Sequence, residues 1–166
     1  MENNALESLE VGNVFITPAA LLDHWQGHRR ITRRVIEAFP EDKLFSYSIG
    51  GMRPFSALVL EMIGMAVPGA KGVASGRWDA FADAQPLSSK RQLLEEWDKV
   101  TEDLDKIWAQ IPPHRFQEVD VAFGQYEGPN YQTILYFIDN EIHHRGQGYV
   151  YLRSLGIEPP AFWDRG

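Results

Sequence analysis

The sequence contains no cysteine. Disulfide bonds, thiolate metal ligands and a cysteine nucleophile are therefore excluded. This absence is typical of a reducing compartment. The first residues, Met1 to Val11, are acidic and polar, whereas a signal peptide has a basic region followed by an apolar one. We therefore expect a cytoplasmic protein.

Positive charge is also scarce. Lys and Arg number 16 against 23 Asp and Glu, which gives a net charge of -7. A nucleic-acid-binding protein needs a basic surface to neutralise phosphates, so nucleic acid is excluded as the main partner. No apolar run approaches the roughly 20 residues of a membrane span. The longest candidate, Phe55 to Val67, is interrupted by Glu61, and we expect no membrane association.

Several catalytic motifs are missing as well. The chain has no G-x-S-x-G nucleophile motif, no Walker loop and no dinucleotide-binding glycine pattern. Residues Gly69 to Gly76 have neither the required glycine spacing nor a preceding strand. These absences exclude the motif-defined hydrolases, nucleotide-binding proteins and dinucleotide-dependent oxidoreductases.

Helical periodicity dominates what is present. Apolar residues recur at spacings of three and four in four long segments, each bounded by caps, prolines or glycines. These segments begin at Thr17-Pro18, Pro54, Ser88-Ser89 and Asn130, and end at Pro40, Val67 before Pro68-Gly69, Pro112-Pro113 and about Leu155 before Gly156. The length of 166 residues suits one domain. We predict an all-α fold, a four-helix bundle, in a single domain spanning residues 1–166.

Two connecting segments also carry weak structural signals. Residues Trp78 to Ala84 are compatible with a short helix. Residues Phe116 to Tyr126 alternate weakly between apolar and polar side chains, which favours an extended conformation.

Candidate metal ligands cluster on the last predicted helix. Asn140 and His144 are four residues apart, and Glu141 and His144 are three apart, so each pair shares one helix face. An oxygen donor and an imidazole at this spacing can hold one divalent cation. The alternative is that these residues, with His143, lie at a surface or interface and pair with nearby acids.

Glu61 is the only charged residue between Phe55 and Met65 and lies near the apolar stripe of its helix. A lone carboxylate there is costly unless it is paired, protonated or metal-bound. It is therefore either a metal ligand or an ion-pair partner of Arg145 or Arg53. His28 belongs to the core-facing stripe of the first helix. It is either a hydrogen-bonded structural histidine or a further ligand beside Glu61 and His144.

The sequence resembles the DinB-like (damage-inducible, YfiT-like) family. The resemblance covers nearly the whole chain in helix order and length, and its specific motifs are Gly51-Met52-Arg53-Pro54-Phe55, Glu141-Ile142-His143-His144-Arg145-Gly146-Gln147, Tyr151-Leu152-Arg153 and Leu155 to Pro160. It implies a divalent metal held by one histidine from the second helix and two from the last. The corresponding positions here are Glu61, Asn140 and His144, so one of the three histidines is retained.

The resemblance implies a divalent-metal-dependent enzyme acting on a small molecule, either a thiol-dependent S-transferase or a hydrolase. The three residues at the family's ligand positions, Glu61, Asn140 and His144, offer more oxygen donors than three histidines do. Such a ligand set favours nickel, manganese or iron over zinc. Because the chain lacks cysteine, any thiol nucleophile must come from a low-molecular-weight cosubstrate. The alternative is a non-catalytic bundle that has lost the metal and binds a ligand or a protein partner.

Self-association is also expected. Residues Tyr149 to Leu152 are four consecutive apolar residues that cover every face of the last helix, and one bundle helix buries only about one stripe. A two-fold homodimer would cover the rest, in agreement with the family resemblance. The alternative is that the tail after Pro159-Pro160 folds back, with Phe162 and Trp163 as a lid.

Overall fold

The computed structural model describes residues 14–81 and 86–166. The expectation for Met1 to Val11 lies outside the described residues. Within these described residues, five α-helices, a single 3-10 turn and one two-stranded antiparallel sheet follow one another. Their order is α1 Pro18–Ala38, α2 Glu41–Leu44, α3 Phe55–Ser75, α4 Lys90–Trp108, a single 3-10 turn Pro113–Phe116, β1 Val119–Ala122, β2 Tyr126–Pro129 and α5 Asn130–Ser154.

The predicted all-α four-helix bundle is confirmed. The four long helices pack in the cyclic order α1, α4, α3 and α5, so that each contacts two neighbours. Their apolar stripes meet in one core that contains Trp25, Ile36, Phe55, Leu104 and Tyr151. One contiguous core is what a single domain of this size requires.

Local signals explain where these helices begin. The Thr17 hydroxyl accepts a hydrogen bond from the Ala20 amide at 3.1 Å, and the Ser89 hydroxyl accepts one from the Gln92 amide at 3.2 Å. Both bonds satisfy amides that have no partner inside the helix.

The predicted end of the second long helix at Val67 is wrong. Helix α3 continues through Pro68 to Ser75 and stops at Gly76, whose φ is 72°. A proline inside a helix costs about 3 kcal/mol because it removes one hydrogen bond and crowds the preceding turn. The continuation buries Ala70 and Val73, and it lets Gly69 contact the ring of Phe137. Tertiary burial of this last section therefore outweighs the local cost.

With this extension α3 reaches 21 residues and is long and apolar enough to cross a membrane by length and composition alone. Slightly more than half of its most apolar 18-residue window, 56%, is buried inside the bundle. Helix α3 is therefore one of the four packed helices of the bundle in the part of the chain that the structure describes.

The short helix predicted for Trp78 to Ala84 is not formed in its described part. Trp78 to Phe81 adopt no regular structure, and Ala82 to Gln85 lie outside the described residues. The weak alternation after Phe116 corresponds to the β1–β2 hairpin, in which Ala122 pairs with Tyr126. The hairpin lies against the N-terminal part of α5 and forms one wall of the groove described below.

The end of the chain folds back along α1. Arg34 forms an ion pair with Asp164 at 3.0 Å, and Arg30 donates a hydrogen bond to the Arg165 carbonyl at 2.6 Å. Phe162 and Trp163 nevertheless remain 62% and 73% exposed, so they do not act as a lid within the monomer.

Candidate functional site

Three of the predicted ligand residues meet where α3 packs against α5. The Glu61 carboxylate oxygen Oε1 lies 3.0 Å from Nε2 of His144 and accepts a hydrogen bond from the Asn140 side-chain amide at 3.2 Å. Asn140 and His144 lie one turn apart on α5, so both reach the same carboxylate oxygen. These are the three positions at which the family resemblance places its histidine ligands.

The second oxygen of Glu61 is paired with Arg53. The distance from Nη2 of Arg53 to Oε2 of Glu61 is 2.6 Å, and the arginine precedes α3 in the Arg53-Pro54 turn. Of the two ion-pair partners suggested by the sequence, Arg53 is the one in contact. Arg145 instead contacts His28 and Thr32 on the α1 side of the bundle.

The Glu61 carboxylate is ionised in this setting. Burial alone raises the pKa of Glu61. Hydrogen bonds from His144, Arg53 and Asn140, together with the charge of His144, outweigh that effect and lower the pKa to about 2. The side chain is 31% exposed, so the carboxylate is also accessible from solvent. A partly exposed, ionised carboxylate next to an imidazole can bind a cation or exchange a proton with a substrate.

Gln147 sets the orientation of the His144 ring. Its side-chain oxygen lies 3.5 Å from Nδ1 of His144, and its amide nitrogen donates to Nε2 of His143 at 3.1 Å. Because the ionised Glu61 carboxylate can only accept, the 3.0 Å contact requires a proton on Nε2 of His144, and a bound metal ion would take the place of that proton. A metal-binding imidazole is commonly held in this way by a second hydrogen bond.

The structure does not bring Glu141 to Glu61. Glu141 is only 2% exposed and faces α1, where Thr32 donates a hydrogen bond to its Oε1 at 2.7 Å and the Trp25 indole donates to Oε2 at 3.2 Å. Arg29 lies 3.8 Å from the same carboxylate. Successive residues on a helix point about 100° apart, so Asn140 and Glu141 serve different faces of α5.

His28 also lies on the α1 side, away from Glu61. Its Nδ1 is 3.0 Å from Nη2 of Arg145. The same arginine donates a hydrogen bond through Nη1 to the His28 carbonyl at 3.1 Å. Burial is the largest cause that lowers the pKa of His28 to about 3, and the charges of Arg145 and Arg165 and the neighbouring His24 add to it. His28 is therefore a neutral, buried histidine in a network that joins α1 to α5.

A groove of about 700 Å³ opens beside Glu61. Its walls come from α3, the N-terminal half of α5 and the β1–β2 hairpin, with Phe81 at one edge. Arg53 and Glu61 provide its polar end, while aliphatic and aromatic side chains line most of the remainder. Sequence reasoning missed this groove, because the hairpin that closes it carries only a weak alternation signal.

The donor set fits a divalent ion only in part. Two ligands about 2.0–2.1 Å from a tetrahedral ion are about 3.3 Å apart, close to the separations around Oε1 of Glu61. Within residues 14–81 and 86–166, however, no group of three His, Asp or Glu side chains is arranged to hold a metal. Glu61 and His144 would need the Asn140 side-chain oxygen, or a ligand from outside, as the next donor. Arg53 also competes for the carboxylate.

The sequence matches the DinB family over residues 1–164. Comparison with curated proteins yields no match. Among solved structures, the fold is similar to that of the DinB-like protein YjoA from Bacillus subtilis, with a TM-score of 0.72 and 18% identity over 86% of this chain and 96% of that one. A DinB-like protein from Bacillus cereus ATCC 10987 is similar with a TM-score of 0.73 and 17% identity, over 89% of this chain and 99% of that one. At these identities the likeness shows a shared fold.

Proposed function

This protein belongs to the DinB family, and from that premise we propose that it is a divalent-metal-dependent enzyme acting on a small molecule bound in the groove beside α3. The observation that supports this proposal is the convergence of Asn140 and His144 on the carboxylate of Glu61, which itself lines the groove. The residues that would hold the ion are Glu61 through Oε1, His144 through Nε2 and Asn140 through its side-chain oxygen after rotation of the amide.

A bound divalent ion would supply a lowered pKa for a coordinated thiol or water, which makes a nucleophile available near neutral pH. The protein itself would orient the metal ligand and the substrate. Gln147 keeps Nε2 of His144 directed at the site, and the groove orients the substrate and removes water from its apolar part. A thiol nucleophile would have to enter as a cosubstrate, since the chain has no cysteine. Thiol-dependent S-transfer and hydrolysis are therefore the two reaction classes that we propose.

The composition of the site bears on the choice of metal. One carboxylate, one amide oxygen and one imidazole form a harder donor set than three imidazoles, which favours nickel, manganese or iron over zinc. We expect the affinity to be modest, because Arg53 must release or share the carboxylate and its positive charge repels a dication at short range.

A second candidate function is metal-free ligand binding by a non-catalytic bundle. The observation that favours it is the 2.6 Å contact between Arg53 and Glu61, which already compensates the carboxylate. In that case the Arg53–Glu61 pair and His144 would serve as hydrogen-bonding groups for a polar ligand.

Isothermal titration of tag-free, chelator-treated protein with nickel, manganese and zinc separates the two functions. We expect about one ion per chain, with binding abolished in His144→Ala and strongly weakened in Glu61→Gln, because each variant removes one strong donor. The matched control is His114→Ala, since His114 is 68% exposed on the 3-10 turn and far from these donors in sequence. Protein that binds none of the three ions at millimolar concentration, or a His144→Ala variant that binds them normally, would refute metal dependence.

A further inference from the structure

Aromatic side chains form a large part of the groove lining, which includes neither Asn140 nor His144. The rings of Phe81, Phe123, Tyr126 and Tyr136 all line the groove. Three of them are strongly exposed for their type: Phe81 at 44%, Tyr126 at 64% and Tyr136 at 59%. Exposed aromatic groups gathered around one concave surface mark a ligand-binding groove more often than a solvated face.

Phe123 occupies an unusual backbone conformation at the tip of the hairpin. Its φ is 54°, in the left-handed region that a bulky side chain rarely adopts, and Gly124 follows with a φ of 69°. Glycine or asparagine at this position would form the turn with less strain. The conformation places the phenyl ring 4.3 Å from that of Phe81 and 5.1 Å from that of Trp78, measured between ring centroids. A strained residue whose ring forms the wall of a groove is a candidate for ligand contact.

The charges on the groove wall favour a cation. Of the charged residues that line it, Arg53 is basic, while Glu61 and Glu127 are acidic. Arg53 is already paired with Glu61. Glu127 lies on β2 and, within the residues that the structure describes, forms no ion pair. One acidic residue without an ion-pair partner among the described residues therefore belongs to the groove lining, and aromatic faces also attract cations through the negative charge above their rings.

We propose that the aromatic lining of this groove binds an organic ammonium ion with a flat aromatic body, the ring lying against Phe123 and Phe81 and the ammonium near Glu127. The proposal rests on the proposed function only in taking the groove as the ligand site, and it requires no metal. It defines the substrate class as arylalkylamines.

Three matched probes test the chemistry on chelator-treated protein: 2-naphthylmethylammonium, 2-naphthalenemethanol and 2-naphthoate, titrated by calorimetry. They share the aromatic body and differ in charge. We expect the ammonium to bind at least about tenfold more tightly than the carboxylate, with the alcohol between them. Equal affinities for all three would overturn the charge argument, and failure of the ammonium to bind at millimolar concentration would overturn the proposal.

Variants test the residues. Phe123→Asn keeps a residue that tolerates left-handed backbone but removes the ring, and we expect about three- to tenfold weaker ammonium binding with an unchanged circular dichroism spectrum. Phe81→Leu, at the other ring named in the proposal, repeats the test if Phe123→Asn is unfolded. Phe162→Ala, which removes an exposed ring outside the groove lining, is the control. Full affinity in both folded groove variants would contradict the ring contacts.

A further pair of variants tests whether the Glu127 carboxylate binds the ammonium group. Glu127→Gln should remove most of the preference for ammonium over alcohol, whereas Glu102→Gln, on the exposed face of α4, should leave it intact. Ammonium binding without metal binding would exclude the metal-dependent function and retain the aromatic site. Metal binding without ammonium binding would exclude the aromatic site and retain the metal.

Discussion

Replacement of Glu141 by alanine should destabilise the fold far more than the same replacement of Glu61. Glu141 is 2% exposed and its partner Arg29 is 1% exposed, so loss of the carboxylate leaves a guanidinium buried without its counter-charge. It also removes the acceptor for the Thr32 hydroxyl and the Trp25 indole. Breaking a buried ion pair by removing one partner costs about 3–5 kcal/mol. That is a large fraction of the roughly 5–15 kcal/mol that stabilises an ordinary domain.

Glu61 provides the internal comparison, because it is also an acid in a polar cluster next to α5. Its partner Arg53 is 52% exposed and can be rehydrated when the carboxylate is lost. Solvent screening reduces the value of such a pair, so we expect Glu61→Ala to cost only about 1 kcal/mol. Glu102→Ala, a surface change on α4, should stay within about 0.5 kcal/mol.

Urea denaturation followed by far-ultraviolet circular dichroism measures this difference. With a denaturant slope of about 2 kcal/mol per molar, Glu141→Ala should lower the urea midpoint by roughly 1.5–2.5 M. Glu141→Gln should fall between wild type and alanine, since it keeps an oxygen for Thr32 but loses the charge opposite Arg29. If Glu141→Ala stays within about 1 kcal/mol of wild type, the assignment of Glu141 to a buried charge network is refuted.

Three further predictions follow from burial, close packing and surface exposure. The pKa of His28 is about 3 in the fold against 6.5 for the free side chain, so below about pH 6.5 the unfolded state binds a proton that the folded state does not. The free energy of unfolding should therefore decrease as the pH is lowered from about 6.5 to about 3, by up to about 1.4 kcal/mol per pH unit. Between pH 7 and pH 5 the unfolding midpoint of His28→Gln should depend less steeply on pH than that of the wild type, and an equal dependence would contradict the prediction. Gly69→Ala should destabilise by about 1–3 kcal/mol, because its Cβ would lie 2.2 Å from the ring of Phe137; Gly146→Ala, with open space around the Cβ, should instead be neutral or stabilising in the same melting assay. Light scattering should give a dimer mass at micromolar concentration that Val150→Lys reduces toward the monomer, since Val150 is 54% exposed on α5; a monomeric mass at high protein concentration would exclude the dimer.

The starts of the four long helices could be read from the sequence, whereas α4 ends at Trp108, four residues before the Pro112-Pro113 pair at which its end was predicted. Thr17 and Ser89 cap α1 and α4 through hydrogen bonds to amides three residues ahead, and these bonds depend only on neighbouring residues. Gly156 follows α5 with a φ of 76° for an equally local reason. Helix α3 differs, because its continuation past Pro68 depends on contacts with other parts of the chain.

The candidate site could be predicted in part. The family resemblance identified the positions Glu61, Asn140 and His144, and the structure brings these three side chains together. Helical spacing alone could not separate Asn140 from Glu141, which are neighbours in sequence and both within helical reach of His144. Which of them meets Glu61 depends on the rotation of α5 about its axis, and that rotation is fixed by the Glu141 contacts to Thr32 and Arg29 on α1.

The sequence by itself determined the helical segments, the single domain and the presence of a costly carboxylate in an apolar helix. These follow from periodicity, capping and charge, which act over a few residues. Only the tertiary structure decided that the carboxylate of Glu61 pairs with Arg53 and that His28 lies in a separate buried network. It also decided that the hairpin closes a groove with Phe123 at its tip. The physical reason is that each of these features depends on which helix faces meet, and that is set by packing among residues distant in sequence.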